Sequence, residues 1–462
     1  MGLAEYFELA DHDTDVRTEL LAGLTTFFTM SYIVIVNPDT LGQAISLPGY
    51  TSGQVQQMLA VVTILSAFVA TTVMALYANR PFAQAPGLGL NAFFAYTVVL
   101  GLGVPWQVAL AAVFVEGIIF ILLTAAGARK AIIRAFPEPV KLSVGAGIGA
   151  FLALIGLQKM QVVALDQATM VTLGNIASSP VATLSVVGLF LTLALYARGI
   201  PGAIVVGIFA TTAGGYAAEF LGVVPAGTLT TSIEGAQYNI APLAGAFLDG
   251  LVGAPAQNVD VFAFALIVFT FFFVDFFDTA GTLVGVSQIA GFLDDDGNLP
   301  EIEKPLMADA IGTTVGSMLG TSTVTTYIES ATGVEEGGRT GLTALTVAGL
   351  FLASLVLVPV AAAVPLYASH IALVVVGVIM LGNVTEVAWD DVTYSIPAGL
   401  TVFVMPFTYN IGYGIAAGIV AYPVVKTAVG EYDEVGAGQW LLAAAFVVYF
   451  YVRTSGTLSA AV

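Results

Sequence analysis

Two acidic residues stand three positions apart inside a long apolar segment of the chain. Asp275 and Asp278 occur in the run Phe-Phe-Phe-Val-Asp-Phe-Phe-Asp-Thr-Ala-Gly that begins at Phe271. In a helix, residues three apart lie on the same face. A carboxylate within such an apolar helix is costly and normally faces a cavity or a partner, which favours a functional site. The alternative for one of the two is a structural role, capping the backbone N–H groups of a neighbouring short helix.

Two further polar residues each follow a break in an apolar segment. Asn91 comes after a stretch with two Pro and two Gly that predicts extended chain to about Pro86 and helix beyond it. In the second half, the β-branched alternation Thr321–Ile328 predicts a strand, and a helix is expected to start at Glu329. Interrupted segments at matching positions of two halves are typical of transporter sites built from half-helices. Two re-entrant loops with a purely structural purpose are the alternative.

The residue types at these breaks indicate what such a site can bind. A carboxylate such as Glu329 and a carboxamide such as Asn91 together offer acceptors and donors to a planar, neutral, hydrogen-bonding molecule. Glu116 and Asp309 are weaker candidates, and Glu138 lies in a basic loop where we expect it to be solvated.

An enzyme that uses paired carboxylates for acid and base catalysis is a second hypothesis. Such a dyad needs carboxylates from different helices that face each other, and Asp275 and Asp278 are neighbours on a single predicted helix. We therefore expect a protein that is not an enzyme.

Composition agrees with a membrane protein. Of 462 residues, 58% are hydrophobic and only 9% are charged, and the mean hydropathy is +0.94. Globular soluble chains carry about 25% charged residues, so a soluble enzyme is excluded. The chain has no Cys and two His, which excludes disulfides and thiolate or His-based metal centres. Neither a metal site nor a cofactor is predicted.

The formal net charge is −19, with acidic residues concentrated in polar segments such as Asp11 to Glu19 and Glu431 to Glu434. Ordinary solvated loops are one explanation. The other, which we favour, is a salt-rich cytoplasm such as that of a halophilic archaeon, where acidic surfaces keep proteins soluble. Nucleic acid is not an expected partner, because phosphate contacts require Lys and Arg.

Hydropathy divides the chain into about fourteen apolar segments, seven in each half. Those of the first half are Leu20–Val36, Leu59–Tyr77, Leu88–Leu100, Gln107–Ala126, Val140–Leu157, Val181–Tyr196 and Ala203–Leu221. Those of the second half are Val261–Leu283, Met307–Leu319, Val324–Val334, Leu342–Val358, Ile371–Leu381, Ile396–Val429 and Trp440–Val452. The stretch Ile396–Val429 is either one broken element or two.

Basic residues predict the orientation, because Lys and Arg are retained on the cytoplasmic side. With the N-terminus inside, ten of the 12 Lys and Arg residues are cytoplasmic, and Lys159 and Lys426 are the exceptions. The ten are Arg17, Arg80, Arg129, Lys130, Arg134, Lys141, Arg198, Lys304, Arg339 and Arg453. The acidic segment before the first apolar run is not a cleaved signal peptide. We expect a multi-pass protein of the plasma membrane with both termini in the cytoplasm.

Four motifs carry a family resemblance that covers nearly the whole chain. They are Thr25–Pro38, Ala85–Tyr96, Phe273–Leu283 and Thr325–Val334. In this order they resemble the AzgA-type purine permeases of the nucleobase/ascorbate transporter (nucleobase:cation symporter-2) superfamily.

The resemblance implies an all-α polytopic fold of about fourteen transmembrane segments in two inverted repeats of seven. The third and tenth segments would be broken, each a short strand followed by a half-helix. It implies a core domain formed by residues 1–128 and 261–360, and a gate domain formed by 129–260 and 361–462. Such proteins are often homodimers in the lipid bilayer, and the core would carry substrate past the gate in an elevator movement.

The implied function is secondary active import of purine nucleobases by proton symport, with hypoxanthine and guanine favoured over adenine and with sodium coupling left open. The implied substrate-binding residues are Asn91, Asp275, Glu329, Phe93, Phe273 and Thr326. Asp275, Glu329 and Asp278 are the implied proton-coupling residues, and which of the two Asp residues faces the substrate stays open. An anion permease of the sulfate type has the same architecture and is the alternative, although its site should be cationic.

Overall fold

A computed structural model describes residues 2–127, 136–231, 235–253, 261–294 and 299–454. Within these ranges, ten helices are long and apolar enough to cross a membrane, and three shorter helices are also apolar. The predicted cytoplasmic residues Arg129, Lys130 and Arg134 lie outside the described residues, as does the boundary predicted at 128/129.

The first half is helical apart from one strand that pairs with a strand of the second half and one two-stranded hairpin. Its helices are α1 Leu3–Tyr6, α2 Val16–Met30, α3 Ile33–Leu41, α4 Ser52–Val73, α5 Leu88–Ala92, α6 Trp106–Ala125, α7 Glu138–Lys159, α8 Pro180–Ala197, α9 Ala203–Phe220 and α10 Ala246–Gly253. Two helices continue as π-helix, α4 through Met74–Ala78 and α5 through Phe93–Gly101. The strands are β1 Gln84–Pro86, β2 Val163–Asp166 and β3 Met170–Leu173, and a 3₁₀ turn spans Ile176–Ser178.

The second half repeats this pattern of a long helix, a broken segment and further helices. Its helices are α11 Val261–Ala290, α12 Glu303–Leu319, α13 Ser330–Glu335, α14 Gly341–Ala353, α15 Val358–Ala361, α16 Leu366–Ser369, α17 Ile371–Met380, α18 Val392–Thr408, α19 Ile411–Ala428 and α20 Ala437–Thr454. The strand is β4 Val324–Thr326, and 3₁₀ turns span Ser354–Leu357, Leu381–Glu386 and Tyr432–Glu434.

The two predicted breaks meet each other in the structure. Strands β1 and β4 pair antiparallel, with Gln84 opposite Thr326 and Pro86 opposite Val324. The extended chain to Pro86 and the helix after it are confirmed. So is the helix that starts next to Glu329. Strand β4 is shorter than the predicted Thr321–Ile328, because its partner β1 offers only three residues for pairing.

The region Ile396–Val429 consists of two helices, which adds one segment to the seven predicted for this half. Tyr409, with a φ of 56°, ends α18, and the Asn410 side chain caps α19 by accepting from the Tyr413 N–H at 3.1 Å. Three prolines lie inside α18 and α19 without ending either helix. The chain therefore reverses at Tyr409 and Asn410 rather than at a proline.

This hairpin corrects the place predicted for Lys426. Tyr394, near the start of α18, donates to Glu138 Oε2 at the start of α7 at 2.9 Å. Tyr422 on α19 lies near both Glu138 and Lys426. Lys426 is therefore at the same end of the molecule as the basic loop before α7. The prediction put it at the opposite end because it treated Ile396–Val429 as a single crossing.

Glycines let the central helices approach closely. A Cβ on Gly117 of α6 would lie 2.6 Å from the Thr314 hydroxyl of α12, and one on Gly149 of α7 would lie 2.6 Å from the Gly377 carbonyl of α17. Small residues at such crossings are typical of helix packing in membranes. Large apolar side chains cover the outer faces, for example Phe220 with 91% exposed and Phe407 with 79% exposed. The exposed apolar faces suit a lipid environment.

Candidate functional site

Asn91 connects the two broken segments. Its side chain is fully buried, its Nδ2 donates to the Pro86 carbonyl at 3.3 Å, and its Oδ1 accepts from the Ser322 hydroxyl just before β4. Pro86 and Ser322 belong to different halves of the chain. Asn91 therefore links the two breaks, and its contact with substrate stays a prediction.

Glu329 lies where β4 gives way to α13 and is only partly buried. Its Oε1 accepts a hydrogen bond of 2.6 Å from the Tyr32 hydroxyl. Tyr32 is itself buried and sits at the junction between α2 and α3, where the first long segment bends. Sequence reasoning missed Tyr32 as a site residue. The available signal was its position inside the Thr25–Pro38 motif, which also contains Asn37 and Pro38.

Asp275 and Asp278 lie on one helix, α11, but in different surroundings. Asp278 is partly buried and close enough to Glu329 for their charges to interact. Asp275 is completely buried and faces Glu116 of α6 and Asp309 of α12. Residues three apart on a helix differ by about 60° in direction, which is enough to give the two carboxyls different neighbours.

Asp309 is the centre of a buried hydrogen-bond network. Its Oδ1 accepts from the Gln84 side chain at 3.0 Å, from the Thr279 hydroxyl at 3.0 Å and from the Thr326 hydroxyl at 3.2 Å. These donors belong to β1, α11 and β4. The predicted substrate residue Thr326 is part of this network, and Asp309, a weak candidate in the sequence, joins the elements that surround the breaks.

The aromatic candidates pack against other aromatic rings. Phe93 meets Phe271 edge to face, with ring centroids 4.9 Å apart. Phe273 lies 4.3 Å from the Phe136 ring centroid and also contacts Phe277. Both predicted residues are buried. A stacking role in substrate binding would require rearrangement of these ring contacts and stays a prediction.

The site is rich in carboxylates, and this decides what it can bind. Glu329 and Asp278 come from different elements and both retain some exposure. Carboxylate oxygens accept hydrogen bonds from N–H groups. Among the residues described, no group of three or more His, Asp or Glu side chains is arranged to hold a metal ion. The arrangement therefore suits a neutral ligand with several N–H donors.

Sequence comparison places this chain among permeases. A family model described as "Permease family", of the xanthine/uracil type, matches residues 17–417. A permease of Methanocaldococcus jannaschii is 45% identical over 96% of this chain and 97% of its own. The adenine permease AdeP of Escherichia coli is 39% identical over 96% and 95%. The guanine/hypoxanthine permease PbuO of Bacillus subtilis is 38% identical over 97% and 99%.

Solved structures share the fold at low sequence identity. The transmembrane domain of the bicarbonate transporter BicA from a cyanobacterium aligns with a TM-score of 0.58 at 16% identity, over 87% of this chain and 97% of that one. The transporter SLC26A9 aligns with a TM-score of 0.62 at 12% identity, over 90% of this chain and 65% of that one. At this identity the likeness concerns the fold alone.

Proposed function

This chain belongs to the nucleobase/ascorbate permease family, as a multi-pass membrane protein, and from that premise we propose that it imports purine nucleobases across the plasma membrane. Hypoxanthine and guanine are the favoured substrates over adenine. The proposal rests on relatives named as adenine or guanine/hypoxanthine permeases that match nearly the whole chain. Transport of the neutral base is coupled to a cation, and the favoured coupling ion is the proton. The protein catalyses no reaction in this proposal.

The substrate is held between Asp278 and Glu329. The observation that carries this assignment is that these two carboxyls, from α11 and from the end of β4, lie near each other and are both partly exposed. A purine presents ring N–H groups, and guanine and adenine add an exocyclic amino group, so two acceptors can hold two edges. The sequence favoured Asp275 for this position. Its complete burial against Glu116 and Asp309 favours Asp278 instead.

Tyr32 and Asn91 support this pair. The Tyr32 hydroxyl holds the Glu329 carboxyl at 2.6 Å, which limits the directions in which that carboxyl can accept. Asn91 holds the two breaks in register through Ser322 and Pro86. A binding group whose orientation is fixed in advance loses less entropy when it binds a ligand.

Alternating access follows an elevator scheme in this proposal. Residues 1–128 and 261–360 form the moving core, and 129–260 and 361–462 form the gate. The segments form two inverted repeats of seven crossings, with both termini cytoplasmic, and the transporter is a homodimer. In this proposal α19 completes the second repeat, and α20 lies outside it without crossing the membrane, which keeps both termini cytoplasmic.

An anion permease is the second candidate, because the solved structures that share this fold include a bicarbonate transporter. The acidic pair at the breaks argues against it, since carboxylates repel anions. In that case a basic group or helix N-termini must supply the binding energy.

Uptake into proteoliposomes tests the proposed function. Labelled hypoxanthine is added under an imposed inward proton or sodium gradient, with unlabelled guanine, adenine, xanthine, uracil, sulfate and bicarbonate as competitors. We expect saturable uptake that a proton gradient drives and that guanine blocks more strongly than adenine. If no base is taken up or competes, and sulfate or bicarbonate is transported, the anion hypothesis replaces this one.

A further inference from the structure

Glu116 and Asp275 form a buried carboxyl pair that base binding leaves unused. Both side chains are fully buried, and the two carboxyl groups are close enough to interact with each other. Among the described residues, neither Glu116 oxygen has a hydrogen-bond donor, and Asp275 Oδ1 has none either. The Thr313 hydroxyl is 3.5 Å from Asp275 Oδ2 and donates to the Val324 carbonyl at 2.8 Å.

The pair is surrounded by acidic rather than basic groups. From α12, Asp309 acts on both carboxyls, and its own Oδ2 is buried without a donor. From α11, Asp278 acts on Asp275 and on Asp309, and Glu329 beyond β4 acts on Asp278 in turn. Among the described residues, no Lys, Arg or His forms a salt bridge with Glu116 or Asp275.

These observations require a proton. An ionised carboxylate can only accept hydrogen bonds, and three of these four buried oxygens have no donor, whereas a protonated carboxyl can itself donate to a neighbouring oxygen. Two adjacent carboxylates without a counter-charge in a low-dielectric interior are strongly unfavourable. At least one of these two carboxyls is therefore protonated, on helices next to the substrate pair.

We propose that Glu116 and Asp275 are the binding site of the coupled proton, so that Glu116 is a coupling residue distinct from the substrate carboxylates. This inference rests on the proposed function, because it assumes that a base and a proton travel together. One proton from the outer side forms an O–H bond with a carboxylate oxygen of the pair. It leaves to water on the cytoplasmic side, while the base remains neutral and no electrons are transferred.

A physical connection to the substrate site is present. Asp275 lies one helical turn before Asp278 on α11. Thr279, which follows Asp278, donates to Asp309, and Asp309 in turn faces Asp275 of the Glu116–Asp275 pair. A change of one charge at the pair therefore alters the potential at Asp278. Protonation removes negative charge next to the substrate carboxylates and favours the loaded state.

Glu116→Gln separates coupling from transport, because glutamine has the shape of glutamic acid but cannot release a proton. In proteoliposomes we expect this variant to exchange labelled for unlabelled hypoxanthine when both sides are at equal pH. We also expect it to lose accumulation driven by an inward proton gradient. Glu138→Gln, at an exposed position of α7, is the matched control and should accumulate base like the wild type. Asp275→Asn removes the other half of the pair and should give the same separation.

Calorimetry of the wild type provides a measurement that does not depend on variants. Hypoxanthine binding in buffers of different ionisation enthalpy should show net proton uptake, and Glu116→Gln should abolish it. Accumulation by Glu116→Gln at the wild-type level, or wild-type binding without proton uptake, would overturn the proton site while leaving base transport intact. A wild type that neither binds nor exchanges any base would instead refute the proposed function itself.

Discussion

Replacing Asn91 with alanine removes the link between the two broken segments. Two hydrogen bonds are lost, one to the Pro86 carbonyl and one from the Ser322 hydroxyl. The Pro86 carbonyl retains a donor, because the Tyr327 hydroxyl lies 2.6 Å from it. The Ser322 hydroxyl is fully buried and is left without its partner. A buried polar group that loses its partner costs about 1–3 kcal/mol.

Ser322→Ala tests the same link from the other side. It leaves the buried Asn91 Oδ1 without a donor, so a similar loss of about 1–3 kcal/mol in the free energy of unfolding is expected. In the double variant both polar partners are gone. The double variant should then lose about 1 kcal/mol less free energy of unfolding than the sum of the two single losses, as expected for residues in direct contact. Equilibrium unfolding in mixed detergent micelles measures all four free energies of the cycle.

Base binding distinguishes a link from a ligand. If Asn91 connects the breaks, Asn91→Ala and Ser322→Ala should weaken hypoxanthine binding to a similar extent. The reasoning is refuted if Ser322→Ala is neutral in both assays while Asn91→Ala abolishes binding without loss of stability. Asn91 would then contact the base directly, as the sequence predicted.

Three other predictions concern the surroundings of the site. Asp309→Ala should destabilise the protein by about 3 kcal/mol, because Gln84 and two hydroxyls each lose one hydrogen bond to this carboxyl. Asp309→Asn retains an acceptor and should lose less, and equilibrium unfolding in mixed micelles compares the two variants. Tyr32→Phe deletes the hydroxyl bound to Glu329 and should weaken hypoxanthine binding about 10-fold without changing the proton requirement. An affinity equal to that of the wild type would show that Tyr32 does not take part in the site. Outside the membrane segments, hydrogen bonds from Thr393 hold the pKa of Asp391 below its ordinary value. The Asp391 side chain should therefore cap the N-terminus of α18 above a pH of about 4, and the cap should be lost as the pH falls below that. Faster amide exchange in the first turn of α18 would report this loss.

The sequence predicts the breaks well because their signals are local. Proline and glycine before Asn91 force extended chain up to Pro86, and β-branched residues before Glu329 favour a strand. Each of these constraints acts within a few residues. The same local reasoning marks Asp275 and Asp278 as unusual in an apolar helix.

Contacts between distant segments are what the sequence could not provide. The Tyr32 hydroxyl meets a carboxyl 297 residues away, and Gln84 meets Asp309 across 225 residues. The different surroundings of Asp275 and Asp278 likewise depend on which helices pack against α11. The sequence left the region Ile396–Val429 open between one element and two, because the reversal at Tyr409 has a weak local signal.

Binding of labelled hypoxanthine to purified Asp278→Asn and Asp275→Asn, measured side by side at one pH with Glu138→Gln as the control, tests the central claim most directly. The account predicts that Asp278→Asn loses about 10-fold or more in affinity, because a hydrogen bond to a charged group contributes about 1.5–3 kcal/mol. Asp275→Asn should bind within about threefold of the wild type, a difference below 1 kcal/mol. The opposite result, with binding lost in Asp275→Asn and retained in Asp278→Asn, would contradict the proposed site.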